Sequence, residues 1–161
     1  IDTTGLSGRY ALAQNIFSTA SYSSSLVGVS ANAAFSGIFT GLGHFISNLR
    51  IDSPNTYVGL FGYNTGTIRN MGLNSANLSA SSTSTFYAGL MAAYNTGPIA
   101  YSTVAGALTR TSAAKASTGG LAGHNLGTDD PSYSLASSTA PKLDDVPYWS
   151  AVCGQNSQPG K

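Results

Sequence analysis

Apolar residues recur along this chain in short alternating bursts, each closed by Gly or Asn, rather than at the spacing of an amphipathic helix. Residues 8–16, GRYALAQNI, alternate Tyr10 and Leu12 with polar neighbours, which predicts a half-buried strand. A Ser-rich loop over 18–25 follows, then a short strand over 26–29, and 31–34 lead into Phe35. From Phe35 to Leu73 the pattern becomes regular and repeats itself 22 residues on. Gly37 falls on Gly59, Phe39 on Phe61, Ile46 on Ile68, Asn48 on Asn70, Leu49 on Met71 and Ile51 on Leu73. A period of this length, built from extended segments, predicts one turn of a parallel β-helix. No turn of that kind buries its own apolar face, so successive turns must stack.

Further along, Leu60-Phe61-Gly62-Tyr63-Asn64 returns as Met91-Ala92-Ala93-Tyr94-Asn95 and as Leu121-Ala122-Gly123-His124-Asn125. A weaker copy is Val152-Cys153-Gly154-Gln155-Asn156, and the four Asn stand 31, 30 and 31 residues apart. Measured against a 22-residue coil, that spacing predicts insertions over 77–85, 106–118 and 137–147, all leaving one corner. Leu60 or Phe61, Ile68, and Met71 with Leu73 are the expected inward side chains of three short sheets, with Ile68 stacked between Ile46 and Ile99. Asn recurs before Gly at the corners, where Gly supplies positive φ and Asn bonds its own backbone. Rows of such Asn predict hydrogen-bonded ladders. After Gly127 the pattern weakens, with Asp129-Asp130-Pro131 interrupting before residues 132–135.

Composition narrows the picture. Only 8% of the 161 residues are charged, and the net charge is +1, which gives no electrostatic footprint for nucleic acid or acidic lipid. A hydrophobic fraction of 42%, with nine Tyr and six Phe, argues for a packed core rather than disorder. Glu is absent and Lys and Gln are scarce, which favours strands over helices. No apolar run is long enough to span a membrane, and the single Cys153 excludes an internal disulfide. The chain opens at Ile1-Asp2 without a basic and apolar leader, so either a signal was removed or residues 1–161 are one β-helix segment of a longer chain, and the polar ending over 155–161 favours the second.

Residues Gly59-Leu60-Phe61-Gly62-Tyr63-Asn64-Thr65-Gly66-Thr67-Ile68-Arg69-Asn70 resemble the GLUG repeat of filamentous-haemagglutinin-like bacterial adhesins, whose pattern is roughly G-L-V-G-x-N-x-G-x-I-x-N-S. The resemblance covers about residues 8–128, departs from the pattern at Ala93 and Pro98, and mostly lapses after Gly127. It implies a right-handed parallel β-helix, exposure on a bacterial surface, and a role in adhesion. It also implies export by a partner transporter and a host-cell receptor or glycan as the partner. The expected architecture is therefore all-β, a β-helix of about five to six coils with loop insertions at one corner.

The chain's chemistry is sparse. His44 and His124 lie roughly 14 Å apart on this register, too far to share a metal ion. His44 reads as a corner residue bonded to backbone, and His124 as a member of a surface column with Tyr63 and Tyr94. Asp129-Asp130 and Asp144-Asp145 are the one place where carboxylates could gather for a lyase or glycosidase, an alternative function. Adjacent residues of a strand point to opposite faces, however, and Pro131 and Pro147 mark both pairs as turns. Cys153 sits at the packing position of Phe61 without basic neighbours and reads as a small buried hydrophobe. No nucleophile elbow and no phosphate loop occur, and no cofactor or metal is expected. An ice- or surface-binding solenoid is a further alternative, weakened because Thr65, Thr96 and Thr128 form single columns. A non-catalytic adhesin segment is the preferred reading. Its expected binding ridge is the stacked insertions, carrying Arg110, Lys115 and Lys142 with Asp144 and Asp145 at one end.

Overall fold

In a computed structural model the chain is all-β and wound into a parallel β-solenoid of about four turns. The structure describes residues 5–127 and, beyond them, only the backbone of strands at 129–130, 133–139, 149–150 and 153–156. The first turn carries β1 (Arg9–Ala11), β2 (Ile16–Phe17) and β3 (Ser21–Tyr22). The second carries β4 (Ile38–Thr40), β5 (Phe45–Ser47), β6 (Arg50–Ser53), β7 (Tyr57–Val58) and β8 (Phe61–Asn64). The third has β9 (Thr67–Arg69), β10 (Gly72–Ala80), β11 (Phe86–Gly89) and β12 (Ala92–Asn95). Next come β13 (Ile99–Ala100), β14 (Thr103–Arg110), β15 (Ala116–Gly119) and β16 (Ala122–Asn125). Strands β17 (Asp129–Asp130), β18 (Tyr133–Thr139), β19 (Trp149–Ser150) and β20 (Cys153–Asn156) continue the pairing.

Four sheets result, against the three expected. Their orders are β1-β4-β9-β13-β17, β2-β5-β10-β14-β18, β7-β11-β15-β19 and β8-β12-β16-β20. In the second, β10 pairs with both β5 and β6, so one long strand replaces two short ones.

The register corrects the 22-residue period. Phe45 lies beside Gly72, Ile38 beside Thr67, and Tyr63 beside Tyr94, spacings of 27, 29 and 31 residues. Phe39, not Ile46, is stacked beneath Ile68, with Ile99 above it, while Ile46 stacks on Leu73. The apparent 22-residue copies lie on different sides of the solenoid, Phe39 on the first sheet against Phe61 on the fourth and Ile46 on the second against Ile68 on the first of the next turn. Each side places an apolar residue inward and then turns, so they spell similar phrases. Longer coils mean fewer of them: the described residues complete about four turns, and the first sheet has five strands, one per coil.

The predicted insertions begin as sheet. Residues 77–80 belong to β10, 106–110 to β14 and 137–139 to β18, all in register. Within β10, Ala76, Leu78 and Ala80 are buried while Asn77 is exposed and Ser79 half-buried, the period of two that small side chains disguise in the sequence. Of the first two insertions, only 81–85 and 111–115 lie outside strands. Residues 129–130 likewise continue the first sheet, pairing with Ile99 and Ala100, rather than interrupting it.

Inside, columns of like residues fill the solenoid: Phe39–Ile68–Ile99, Ile46–Leu73–Val104 and Ile51–Leu78–Leu108. Phe61 packs against Phe35 and Phe39 at centroid distances of 5.3 and 5.5 Å. One corner carries an unusual backbone. Leu42, Asn70 and Tyr101, between the first and second sheets in successive turns, have φ of 52°, 52° and 51°. Asn tolerates this left-handed region, whereas a bulky side chain there is strained by about 1–3 kcal/mol.

Ile68 is fully buried between Phe39 and Ile99. Ile68→Ala should therefore lower unfolding stability by about 2–5 kcal/mol. Denaturant unfolding followed by circular dichroism measures this, and an unchanged midpoint would contradict the column.

Candidate functional site

The best-ordered constellation lies where the third and fourth sheets meet. Each turn crosses there on a Gly-Leu bend, Gly59-Leu60, Gly89-Leu90 and Gly120-Leu121, with every Leu buried. Alternation across the bend places Tyr57 and Tyr63 outward in one turn and Tyr87 and Tyr94 in the next. Rings from the two strands nevertheless touch, Tyr57 against Tyr63 at 5.4 Å and Tyr87 against Tyr94 at 5.1 Å. The bend therefore closes over its outer face and forms a concave strip. Glycine permits this: a Cβ on Gly59 would lie 2.6 Å from Gly89 O and 2.9 Å from Phe61 O.

Along the solenoid the rings form two ladders. Tyr57 stacks on Tyr87 at 5.7 Å. Tyr63 stacks on Tyr94 at 4.6 Å, and Tyr94 on His124 at 4.5 Å, as the Tyr63–Tyr94–His124 column anticipates. Inner ring faces are covered by one another, so the strip presents ring edges and hydroxyls to solvent. Burial raises the pKa of Tyr57, Tyr63 and Tyr94, and the neighbouring phenols raise them further by opposing a second negative charge.

Directly after Tyr63, Tyr94 and His124 comes a buried Asn, and these form the expected ladder. Asn64 Nδ2 donates to Asn95 Oδ1 at 2.6 Å, and Asn95 Nδ2 donates to Asn125 Oδ1 at 2.7 Å. Each Nδ2 also donates to the carbonyl two residues on, of Gly66, Gly97 and Gly127 respectively. Fully satisfied amides of this kind hold both the corner and the vertical register.

The remaining candidates are dispersed. His44 Nδ1 lies 3.2 Å from Asn15 Oδ1, so its ring is held by a side chain of the turn below rather than by backbone. Arg110 is not on a binding ridge. It is buried, donates from Nε to Ser112 O at 2.8 Å and from a terminal nitrogen to Ala114 O at 2.5 Å, and lies 5.9 Å from the Phe86 ring. Its burial lowers its pKa, and its role is to hold the 111–115 turn. Lys115 is exposed on that turn. Lys142, Asp144 and Asp145 lie outside the described residues, as do the side chains of Asp129, Asp130 and Cys153. The backbone of Cys153 does align with Ala122, in the column of Ala92 and Phe61.

Sequence reasoning missed the Tyr57–Tyr87 ladder, whose signal was two Tyr thirty residues apart on the other side of the Gly-Leu bend. Among the described residues no group of three His, Cys, Asp or Glu side chains is placed to hold a metal ion, and no helix is long and apolar enough to cross a membrane. Comparison with protein-family models, with curated proteins and with solved structures returns no match.

Asn95→Ala should lower stability by about 1–3 kcal/mol for each buried partner left unsatisfied, at Asn64, Asn125 or Gly97. Chemical unfolding measures this, and a neutral effect would mean that the ladder carries no stability. The tyrosines give a pH signature. Their folded pKa values lie above the unfolded value of 10.0, so the folded state holds these protons more tightly. That contribution is complete below about pH 10 and is lost as pH rises through the folded values. Ultraviolet titration should show phenols ionising at higher pH in the folded chain than in denaturant, and Tyr94→Phe should reduce that late component.

Proposed function

We propose that this chain is a non-catalytic binding and spacer segment of a secreted or cell-surface bacterial adhesin. The observation that carries the reading is the outward register of the solenoid. Equivalent rings of successive turns stand in ladders, so the aromatic strip is repeated along the solenoid. Such a surface suits recognition of an extended partner, a host-cell receptor or glycan, better than the converging acid–base geometry of hydrolysis. The GLUG-like phrase ending at Asn70 supports the same reading and, with it, export by a partner transporter. The described Asp52 is exposed on β6, whereas both histidine rings are engaged elsewhere, by Asn15 and by Tyr94.

The purified chain should bind host-cell monolayers saturably and release no reducing ends or unsaturated products from pectin-like polysaccharides. Turnover that disappears in Asp130→Asn or Asp145→Asn would replace this reading with a carbohydrate-active enzyme.

A further inference from the structure

On the outer face of the second sheet, Gly72 sits between Phe45 of the turn below and Thr103 of the turn above. A Cβ at Gly72 would come within 3.2 Å of both Phe45 Cβ and Thr103 Oγ1. The missing side chain therefore leaves a notch in an otherwise continuous wall. It opens into a groove of about 490 Å³, rimmed by Leu42 and Tyr101 and lined also by Asn70 and Asn74.

Two independent features characterise this groove. The first is strain. Leu42 and Tyr101 adopt the left-handed conformation with 63% of their surface exposed, so packing does not compensate the backbone. Asn70, in the same column, shows the residue type the corner accepts readily. A strained, solvent-facing aromatic beside a cavity points to a role in binding. The second is unused hydrogen-bonding capacity. The side chains of Asn15, Asn48, Asn64, Asn95 and Asn125 are bonded within the fold. Among the described residues, those of Asn70, Asn74, Tyr101 and Thr103 have no intramolecular partner. The groove thus combines two aromatic residues, Phe45 and Tyr101, with two free amides and two free hydroxyls, and no charged side chain lines it.

We propose that this groove is a subsite for an uncharged saccharide unit. A sugar ring offers an apolar C–H face for Tyr101 and a rim of hydroxyls that both donate and accept, matching amide and hydroxyl groups. An anionic sugar finds no cation here. The proposal deepens the adhesin reading and rests on it for the origin of the saccharide, an extracellular glycan.

The test uses the whole chain and calorimetric titration with neutral oligosaccharides, namely hexamers of β-1,4-linked glucose, β-1,4-linked N-acetylglucosamine and α-linked mannose. Sialyllactose serves as the anionic comparison. At least one neutral series should bind saturably, and more tightly than sialyllactose. Tyr101→Asn should relieve the backbone, raise the melting temperature and weaken binding by about tenfold or more. Gly72→Val fills the notch and should weaken binding similarly. Failure of all three neutral series to bind, preference for sialyllactose, or undiminished binding by the folded Tyr101→Asn variant would overturn the proposal. Cell attachment separates the two readings. Attachment that persists in Tyr101→Asn while wild type binds no oligosaccharide sinks the subsite and spares the adhesin. Oligosaccharide binding that depends on Tyr101, without cell attachment by wild type, does the reverse.

Discussion

At one corner the turns of this solenoid approach so closely that only a residue without a side chain fits. A Cβ on Gly37, Gly66, Gly97 or Gly127 would stand 1.9–2.2 Å from the carbonyl oxygen of the glycine one turn below. That contact sets the vertical register of every coil. The buried Asn two residues before three of these glycines then closes the corner, accepting from the glycine N–H where Gly66 and Gly127 follow and donating to the glycine carbonyl in all three turns. Once neighbouring corners are held, the strands between them pair in parallel and the inward columns Phe39–Ile68–Ile99 and Ile51–Leu78–Leu108 form as a consequence.

The outer surface inherits the same register. Tyr63, Tyr94 and His124 stack because their backbones are paired, and Phe45, Gly72 and Thr103 line up to leave a notch for the same reason. The fold thus separates its tasks by direction. Inward positions stabilise, while outward positions are free to vary and can be tuned for recognition. Arg110 crosses that division: it lies in the inward column beside Ala80, yet its guanidinium reaches the carbonyls of Ser112 and Ala114 at the turn. Its charge serves the scaffold.

The parts of this organisation that were legible in the sequence are those that geometry forces onto residue type. Asn before Gly at 30–31-residue spacing marked the ladder, and the Tyr63–Tyr94–His124 column followed from it. The shorter period misled because different sides of the solenoid obey a common rule, which made Ile46 on the second sheet look like the partner of Ile68 on the first. Ser, Ala and Thr hid the strand at residues 77–80 because small side chains blur inside and outside. The groove was invisible for a different reason. It depends on an absent side chain at Gly72 and on the backbone angle of Tyr101, neither of which any local pattern records. Arg110 looked like a surface charge since nothing in its neighbours announces a buried guanidinium.

The ladder hydrogen bonds run from coil to coil, along the axis of the rod, and this decides how it answers a pull on its two ends. Tension loads those bonds lengthwise, one rung after another, instead of shearing many at once. Each coil touches only its neighbours, so the end coil peels while those beyond it keep their form. Every coil released, about thirty residues, pays out roughly 100 Å of extended chain. The glycine corner and Asn of the next coil remain as a template on which the peeled turn rewinds when the load falls. A rod built this way lengthens in steps under force and recovers its length afterwards.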